Sequence, residues 1–95
     1  MRVISHKAIR DFVNAHPDAL ASLEHWYRTT LRAAWANLAE TRQAFPHADL
    51  VGRVTVFNVG GGKYRLVARV NYRTQRAFIR AILTHTEYDK GGWRE

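Results

Sequence analysis

The 95-residue sequence predicts a single α+β domain covering residues 1–95, with helices in its N-terminal half and a three-strand antiparallel meander in its C-terminal half. Up to about residue 38, apolar residues recur every three or four positions, which is the period of an amphipathic helix. From residue 54 onward they alternate or form short runs separated by turn residues, which is the pattern of strands. A chain of this length can bury one modest core.

The N-terminal half begins with a short predicted strand at Val3-Ile4, followed by a helix that starts at Ser5 or His6. The sequence His16-Pro17-Asp18 should end that helix, since the residue before a proline disfavours the helical conformation. Asp18 is then a candidate N-cap for a second helix over roughly residues 19–37. Six residues form the apolar stripe predicted for this helix: Leu20, Leu23, Tyr27, Leu31, Ala34 and Leu38. Two tryptophans near the stripe, Trp26 and Trp35, are expected to pack in the protein rather than to stack on bases.

Residues 39–52 are predicted to form a polar connection, and three strands follow it. The strands cover residues 54–59, 64–73 and 77–83, with turns at Gly60-Gly61-Gly62 and at Thr74-Gln75. The three glycines lack the spacing and the following helix of a phosphate-binding loop. A tight hairpin turn explains them better.

A two-residue turn at Thr74-Gln75 would place Arg69 directly opposite Arg80, with Arg65 further along the same face. The predicted pairs are Asn71–Phe78, Arg69–Arg80 and Val67–Ile82 on this face, and Val70–Ile79, Ala68–Ala81 and Leu66–Leu83 on the apolar face. Opposed like charges cost roughly 0.2–1 kcal/mol per pair. A carboxylate (Glu87 or Asp89), a bound phosphate, or extension of the guanidinium groups into water could offset that cost. The last alternative is preferred for Arg73 and Arg76.

The charge balance favours a polyanionic partner. Fifteen Lys and Arg against eight Asp and Glu give a net charge of +7, and Arg outnumbers Lys twelve to three. Arg is the better bidentate ligand for phosphate, so nucleic acid is the simplest partner. Cysteine is absent, which excludes disulfides and a thiol nucleophile. The sequence contains no apolar run of membrane-spanning length and no recognisable signal peptide, so a cytoplasmic location is expected.

A cluster of titratable residues follows the last predicted strand. His85 and Tyr88 come soon after Arg80, within reach of the basic face if the strand ends at residue 84. RNA cleavage without a metal requires a base for the 2′-OH, an acid for the 5′-oxygen and positive charge on the transition state. Histidine suits either proton role, and tyrosine can assist where cations lower its pKa. No His pair has recognised metal-ligand spacing, so neither a metal site nor a cofactor is predicted.

The segments VFNVGGGKYRLVARV and FIRAILTHTEYDK, together with MRVISHKAIRDFVNAHP at the N-terminus, resemble the HigB toxins of the RelE superfamily. The resemblance implies two N-terminal helices packed on an antiparallel sheet. It also implies an mRNA interferase that acts on the translating ribosome and is neutralised by a HigA antitoxin with a helix-turn-helix domain.

The same resemblance implies catalytic roles for four residues: Arg65, Arg80, His85 and Tyr88. Lys63 and Lys90 are candidate further phosphate contacts, while Arg69 is a candidate RNA ligand from the strand register alone. Two alternatives remain open. The protein could be a basic RNA- or DNA-binding module without catalysis, or an interaction protein whose arginines dock an acidic partner. A helix-turn-helix protein encoded by the adjacent gene would favour the toxin.

Overall fold

The computed structural model describes residues 1–94, and it confirms the predicted α+β class. Helices pack on a five-stranded mixed sheet of order β1-β5-β4-β3-β2, in which β1 runs parallel to β5 and the other pairs are antiparallel. The strands are β1 (Arg2–Ile4), β2 (Asp49–Val51), β3 (Val54–Val59), β4 (Tyr64–Asn71) and β5 (Arg76–Thr84). The helices are α1 (His6–Ala15), α2 (Leu20–Arg32), α3 (Leu38–Ala44) and α4 (His85–Lys90), with a 3-10 turn at Pro17–Ala19.

The second helix is shorter than the sequence predicted. It ends at Arg32, and Ala33 is already extended with φ −76° and ψ 151°. The N-terminal ammonium group of Met1 donates hydrogen bonds to the carbonyl oxygens of Leu31 and Ala33 at 3.2 and 2.5 Å, which satisfies carbonyls at the helix end. The predicted apolar stripe was partly wrong, because Leu20 and Leu31 are exposed.

Residues 39–52 were wrongly predicted to be a connection, since they contribute most of α3 and all of β2. Asn37 caps α3 by accepting a hydrogen bond from the backbone N–H of Glu40 at 3.0 Å. The strands β2 and β3 are joined by the two-residue turn Gly52-Arg53, in which Gly52 has φ +61°. A glycine with positive φ followed by one residue is a recognised hairpin signal.

The main core lies between the helices and one side of the sheet, which we call the helix-facing side. Its largest fully buried side chains are those of Trp26, Phe57, Ile9, Leu23 and Leu66. The two predicted packing tryptophans are confirmed, with Trp26 1% and Trp35 7% exposed. Tyr64 also belongs to this core, on the side of the sheet that the alternation in β4 predicted.

The register between β4 and β5 differs from the predicted one. The hairpin loop has four residues rather than two, so Arg69 lies opposite Phe78 and the predicted pairing with Arg80 is wrong. The loop is held by a hydrogen bond from the Thr74 backbone N–H to Asn71 Oδ1 and by Gln75 at φ +58°. Side-chain turns of this kind extend a loop beyond the two residues that a minimal hairpin needs.

A β-bulge between the Ala68–Ile79 and Val67–Ala81 pairs makes Arg80 the extra residue of β5. The bulge reverses the alternation beyond that point. Ile82 therefore packs with the main core, while Ala81 and Leu83 pack on the opposite side, contrary to the predicted faces.

Asp18 connects the α1–α2 junction to the glycine hairpin and does not cap α2 as predicted. Its carboxylate accepts hydrogen bonds from Lys63 Nζ at 2.6 Å and from Tyr64 Oη at 2.8 Å. These two donors, with Lys63 first, lower the pKa of Asp18 below its ordinary value of 3.8. The same contact raises the pKa of Lys63. The network therefore links the glycine hairpin to the α1–α2 junction.

Replacing Asp18→Asn is expected to lower the free energy of unfolding at neutral pH. Because the folded pKa of Asp18 is depressed, its contribution is complete above pH 3.8 and is lost as the pH falls through the folded pKa. The difference between wild type and variant in urea titrations should therefore shrink below about pH 4. In a Lys63→Met background the effect of Asp18→Asn should be smaller. An equal effect in both backgrounds would contradict the assigned pair.

Candidate active site on the open side of the sheet

The side of the sheet opposite the main helices is only partly covered, and we call it the open side. A second, small core lies there, formed by Val54, Val56 and Val67. Ala81, Leu83, Tyr88 and Trp93 pack against it, so α4 and the segment after it cover one end of the open side. The rest of this side presents the arginines of β4 and β5.

Two neighbouring clefts occupy the open side, and Arg80 lines both. The first cleft, of about 540 Å³, is lined by Arg53, Arg69, Val70, Asn71, Tyr72, Phe78 and Arg80. The second cleft, of about 620 Å³, is lined by Arg80, Ala81, Leu83, Glu87, Lys90, Gly92, Trp93 and Arg94. Alternation from Phe78 directs Arg80 to the open side, and the bulge directs Ala81 to the same side, so that Arg80 lines both clefts.

The predicted polar cluster after β5 is a short helix, α4, whose ends are defined by local signals. The Thr84 side chain accepts a hydrogen bond from the Glu87 backbone N–H, while Glu87 Oε1 accepts one from the Thr84 backbone N–H at 2.9 Å. This capping box lowers the pKa of Glu87, first through the Thr84 backbone donor and then through the Thr84 hydroxyl. Gly91, at φ +74°, ends the helix.

Arg65 and Tyr88 are brought into direct contact by this arrangement. The guanidinium carbon of Arg65 lies 5.3 Å from the centre of the Tyr88 ring. Arg65 Nη1 also donates a hydrogen bond to the Gly62 carbonyl oxygen at 2.5 Å, which ties the side chain to the glycine hairpin. A cation over an aromatic face is an attractive contact. It also holds both side chains in one orientation, which a site for an oriented substrate requires.

Trp93 supports Tyr88 from the other end of α4. The two rings are stacked, with centres 4.8 Å apart and planes inclined by 11°. Trp93 Nε1 donates to the Tyr88 carbonyl oxygen at 2.7 Å, so the chain folds back after Gly91. The guanidinium carbon of Arg94 lies 5.2 Å from the Trp93 ring centre. Two stacked aromatic rings are thus flanked by an arginine at each end, and Trp93 and Arg94 line the second cleft.

His85 occupies the first position of α4 and is 61% exposed. Its Nδ1 lies 3.0 Å from Asp89 Oδ2, one helical turn later. This contact orients the imidazole through one nitrogen and leaves Nε2 for another partner. The sequence offers Glu87 and Asp89 as alternative carboxylates that could neutralise the arginines. In the structure Asp89 contacts His85, and Glu87 caps the helix.

The two candidate lysines lie in different places. Lys90 lines the second cleft. Lys63 instead extends toward the helix-facing side, where it forms the ion pair with Asp18. A role for Lys63 in RNA binding would require it to leave that pair.

The sequence interpretation missed three residues that line the clefts. Arg53 lies in the β2–β3 turn, which the glycine before it could have indicated. Trp93 and Arg94 line the second cleft because α4 reverses the chain. The pattern Thr84-His-Thr-Glu87 is a capping-box signature that could have revealed this helix, but no local pattern predicts that Trp93 stacks on Tyr88.

Chemically, the open side presents guanidinium groups and the Tyr88 phenol, while the His85 imidazole lies at the start of α4. Such a set can bind a phosphodiester, stabilise additional negative charge on it and transfer protons. Arg65, His85 and Tyr88 are not among the residues that line the two clefts. Within residues 1–94, no group of three or more His, Asp or Glu side chains is placed to hold a metal ion. None of the helices in this part of the chain is long and apolar enough to span a membrane.

Comparison with known proteins gives consistent matches. Residues 19–91 match the family described as HigB_toxin, RelE-like toxic component of a toxin-antitoxin system. The chain is 32% identical over 92 residues to the mRNA interferase toxin HigB of Escherichia coli strain K12, covering 94% of this chain and 88% of the relative. It is equally similar to the mRNA interferase HigB of Shigella flexneri. It is 30% identical over 93 residues to that of Escherichia coli O6:H1 strain CFT073, covering 95% of this chain and 90% of the relative.

Proposed function

We propose that this chain is an endoribonuclease that cleaves messenger RNA. The premise is that it belongs to the HigB toxin family, as its sequence resemblance predicted. The curated relatives are named mRNA interferases, and the matches extend over nearly the whole chain. The observation that carries the proposal is a pair of basic clefts that share Arg80, on the side of the sheet where Tyr88 contacts Arg65. That arrangement offers a phosphodiester both charge and proton donors.

In the proposed reaction, the RNA 2′-oxygen attacks the adjacent phosphorus and the bond from phosphorus to the 5′-oxygen breaks. A base removes the 2′-OH proton and an acid protonates the departing 5′-oxygen, which yields a 2′,3′-cyclic phosphate and a 5′-OH. Arg65 and Arg80 hold the phosphate and stabilise its extra charge, and Arg69 assists in RNA binding. His85 and Tyr88 share proton transfer and orientation. The mechanism uses no metal.

The proposed biological context is a type II toxin–antitoxin system. The family description names a toxic component of a toxin-antitoxin system, which implies an antitoxin partner. We assign this role to a HigA-type protein with a helix-turn-helix domain, encoded beside the toxin. The proposed substrate is mRNA on the translating ribosome, in the cytoplasm. Lys90, and Lys63 once released from Asp18, would add contacts to RNA phosphates.

The test is cleavage of a defined mRNA by the purified protein in EDTA, with and without translating ribosomes. We expect cleavage that requires no added metal, with cyclic phosphate and 5′-OH ends identified by end-group analysis. Products carrying a 5′-phosphate would contradict the mechanism. Binding to RNA without cleavage under either condition would favour the non-catalytic module.

A further inference from the structure

We infer that the first cleft is a nucleotide subsite of the RNA, in which one base stacks on Phe78 and its phosphate lies between Arg53 and Arg69. This inference rests on the proposed function, because it concerns the nucleotide that flanks the scissile phosphate at Arg80. The side chains involved come from three separate segments: Arg53 from the β2–β3 turn, Arg69 from β4, and Phe78 and Arg80 from β5.

Phe78 is the aromatic member of this subsite, and its environment is unusual for a phenylalanine. The rings of Phe12, Phe45 and Phe57 each contact another aromatic ring. Within residues 1–94, Phe78 has no such ring partner and belongs to neither apolar core. It lies on the open side, directly opposite Arg69 in the strand pairing, and lines the first cleft. A ring in this position can receive a base on its face.

The charge of the first cleft complements RNA. Arg53, Arg69 and Arg80 line it, and no carboxylate within the described part of the chain does so. Asn71 also lines the cleft, and its Oδ1 already accepts from the Thr74 backbone N–H, so its amide nitrogen remains as a donor for a base edge. The volume of about 540 Å³ falls within the usual size range of ligand sites.

Single-stranded RNA fits these features better than an acidic protein segment. Arginines alone would suit either partner, but an aromatic ring among arginines is the arrangement that single-stranded nucleic-acid sites use, since every base has a face to stack. Because Arg80 lines both clefts, a bound RNA strand could pass from one cleft into the other. A strand whose scissile phosphate lies at Arg80 would place a neighbouring nucleotide in the first cleft.

The subsite can be tested with a fluorescein-labelled hexanucleotide of 2′-O-methyl RNA, which cannot be cleaved. We expect Phe78→Leu to weaken binding about tenfold, the usual effect of losing one stacked base, without changing the salt dependence. Arg53→Ala should weaken binding. It should also reduce the slope of the logarithm of the binding constant against the logarithm of salt concentration by roughly one, the change expected for one lost phosphate contact. The matched control is Arg73→Ala, which removes the same charge from the β4–β5 loop outside the cleft and should change neither quantity.

An abasic substitution moved along the oligonucleotide locates the stacked base. At one position, the missing base should weaken binding to wild type but not to Phe78→Leu. The inference would be overturned if the losses of binding from the abasic substitution and from Phe78→Leu were additive at every position. It would also be overturned if Arg53→Ala and Arg73→Ala had equal RNA affinity and equal salt dependence. Unchanged RNA binding together with weakened antitoxin binding by Phe78→Leu would overturn it too, and would assign the cleft to the antitoxin.

The outcome is separable from that of the proposed function. If wild type cleaves mRNA while the cleft variants bind RNA normally, the subsite is wrong and the enzyme assignment stands. If wild type does not cleave but Phe78→Leu loses the position-specific contact, the subsite stands as part of a binding protein. Circular dichroism and thermal unfolding establish that Phe78→Leu is folded. Arg53→Ala is a second variant of the same cleft, and it changes a residue in an exposed turn rather than in a strand.

Discussion

Replacing Arg80→Ala is expected to reduce mRNA cleavage about 10²–10³-fold, the usual effect of removing one donor to a developing negative charge. The same variant should relieve growth arrest when it is expressed without the antitoxin. The reason is position, because Arg80 lines both clefts on the open side of the sheet, where the proposed RNA phosphate would lie. Single-turnover cleavage under saturating enzyme measures this effect separately from RNA binding.

Two further variants sharpen the assignment of Arg80. Arg80→Lys keeps the charge but loses bidentate geometry, so its rate should fall between those of wild type and Arg80→Ala. Arg73→Ala is the matched control, since it removes one arginine from the hairpin loop outside both clefts and should cleave like wild type. Equal rates for Arg80→Ala and Arg73→Ala would exclude Arg80 from the reaction.

Replacing His85→Ala is expected to reduce cleavage about 10²–10⁴-fold, the range for loss of a general acid or base. The contact with Asp89 engages the ring through Nδ1, which leaves Nε2 for the proton transfer proposed above. Addition of free imidazole should restore part of the activity. A rate equal to that of wild type would remove His85 from the catalytic set.

A modified substrate distinguishes the two proton roles of His85. A 5′-sulfur at the scissile bond leaves without protonation, so the substrate needs a base but no acid. If His85 is the acid, His85→Ala should cleave this substrate nearly as fast as wild type does. If His85 is the base, the variant should remain slow on both substrates. The same comparison with Tyr88→Phe assigns the remaining role.

Local patterns predicted a large part of the fold. The alternation in β4 placed Tyr64 and Leu66 in the core and Arg69 on the other side, because successive side chains of a strand point to opposite faces. The three strands of the meander were found because the glycines and polar residues that separate them are strong turn signals. The first helix was equally clear from its apolar period and from Pro17.

Errors arose where distant groups decide the conformation. The second helix was predicted too long, since its last carbonyls accept hydrogen bonds from the ammonium group of Met1, some thirty residues away in sequence. Asp18 had the local features of an N-cap, yet Lys63 and Tyr64 engage its carboxylate from the hairpin. Leu20 and Leu31 fit the helical period but lie exposed, since nothing in that period specifies which arc of the helix the sheet covers.

By itself, the sequence determined the α+β class and the basic charge, because short-range periodicity and composition carry that information. The family followed from the resemblance of whole segments to the HigB toxins. Only the tertiary structure decided which arginines share a cleft. The four-residue hairpin loop places Phe78 rather than Arg80 opposite Arg69, yet Arg69 and Arg80 both line the first cleft, where Arg53 joins them from another hairpin. One extra residue in a strand reverses every side chain beyond it, and the alternation of β5 alone does not reveal where that residue lies.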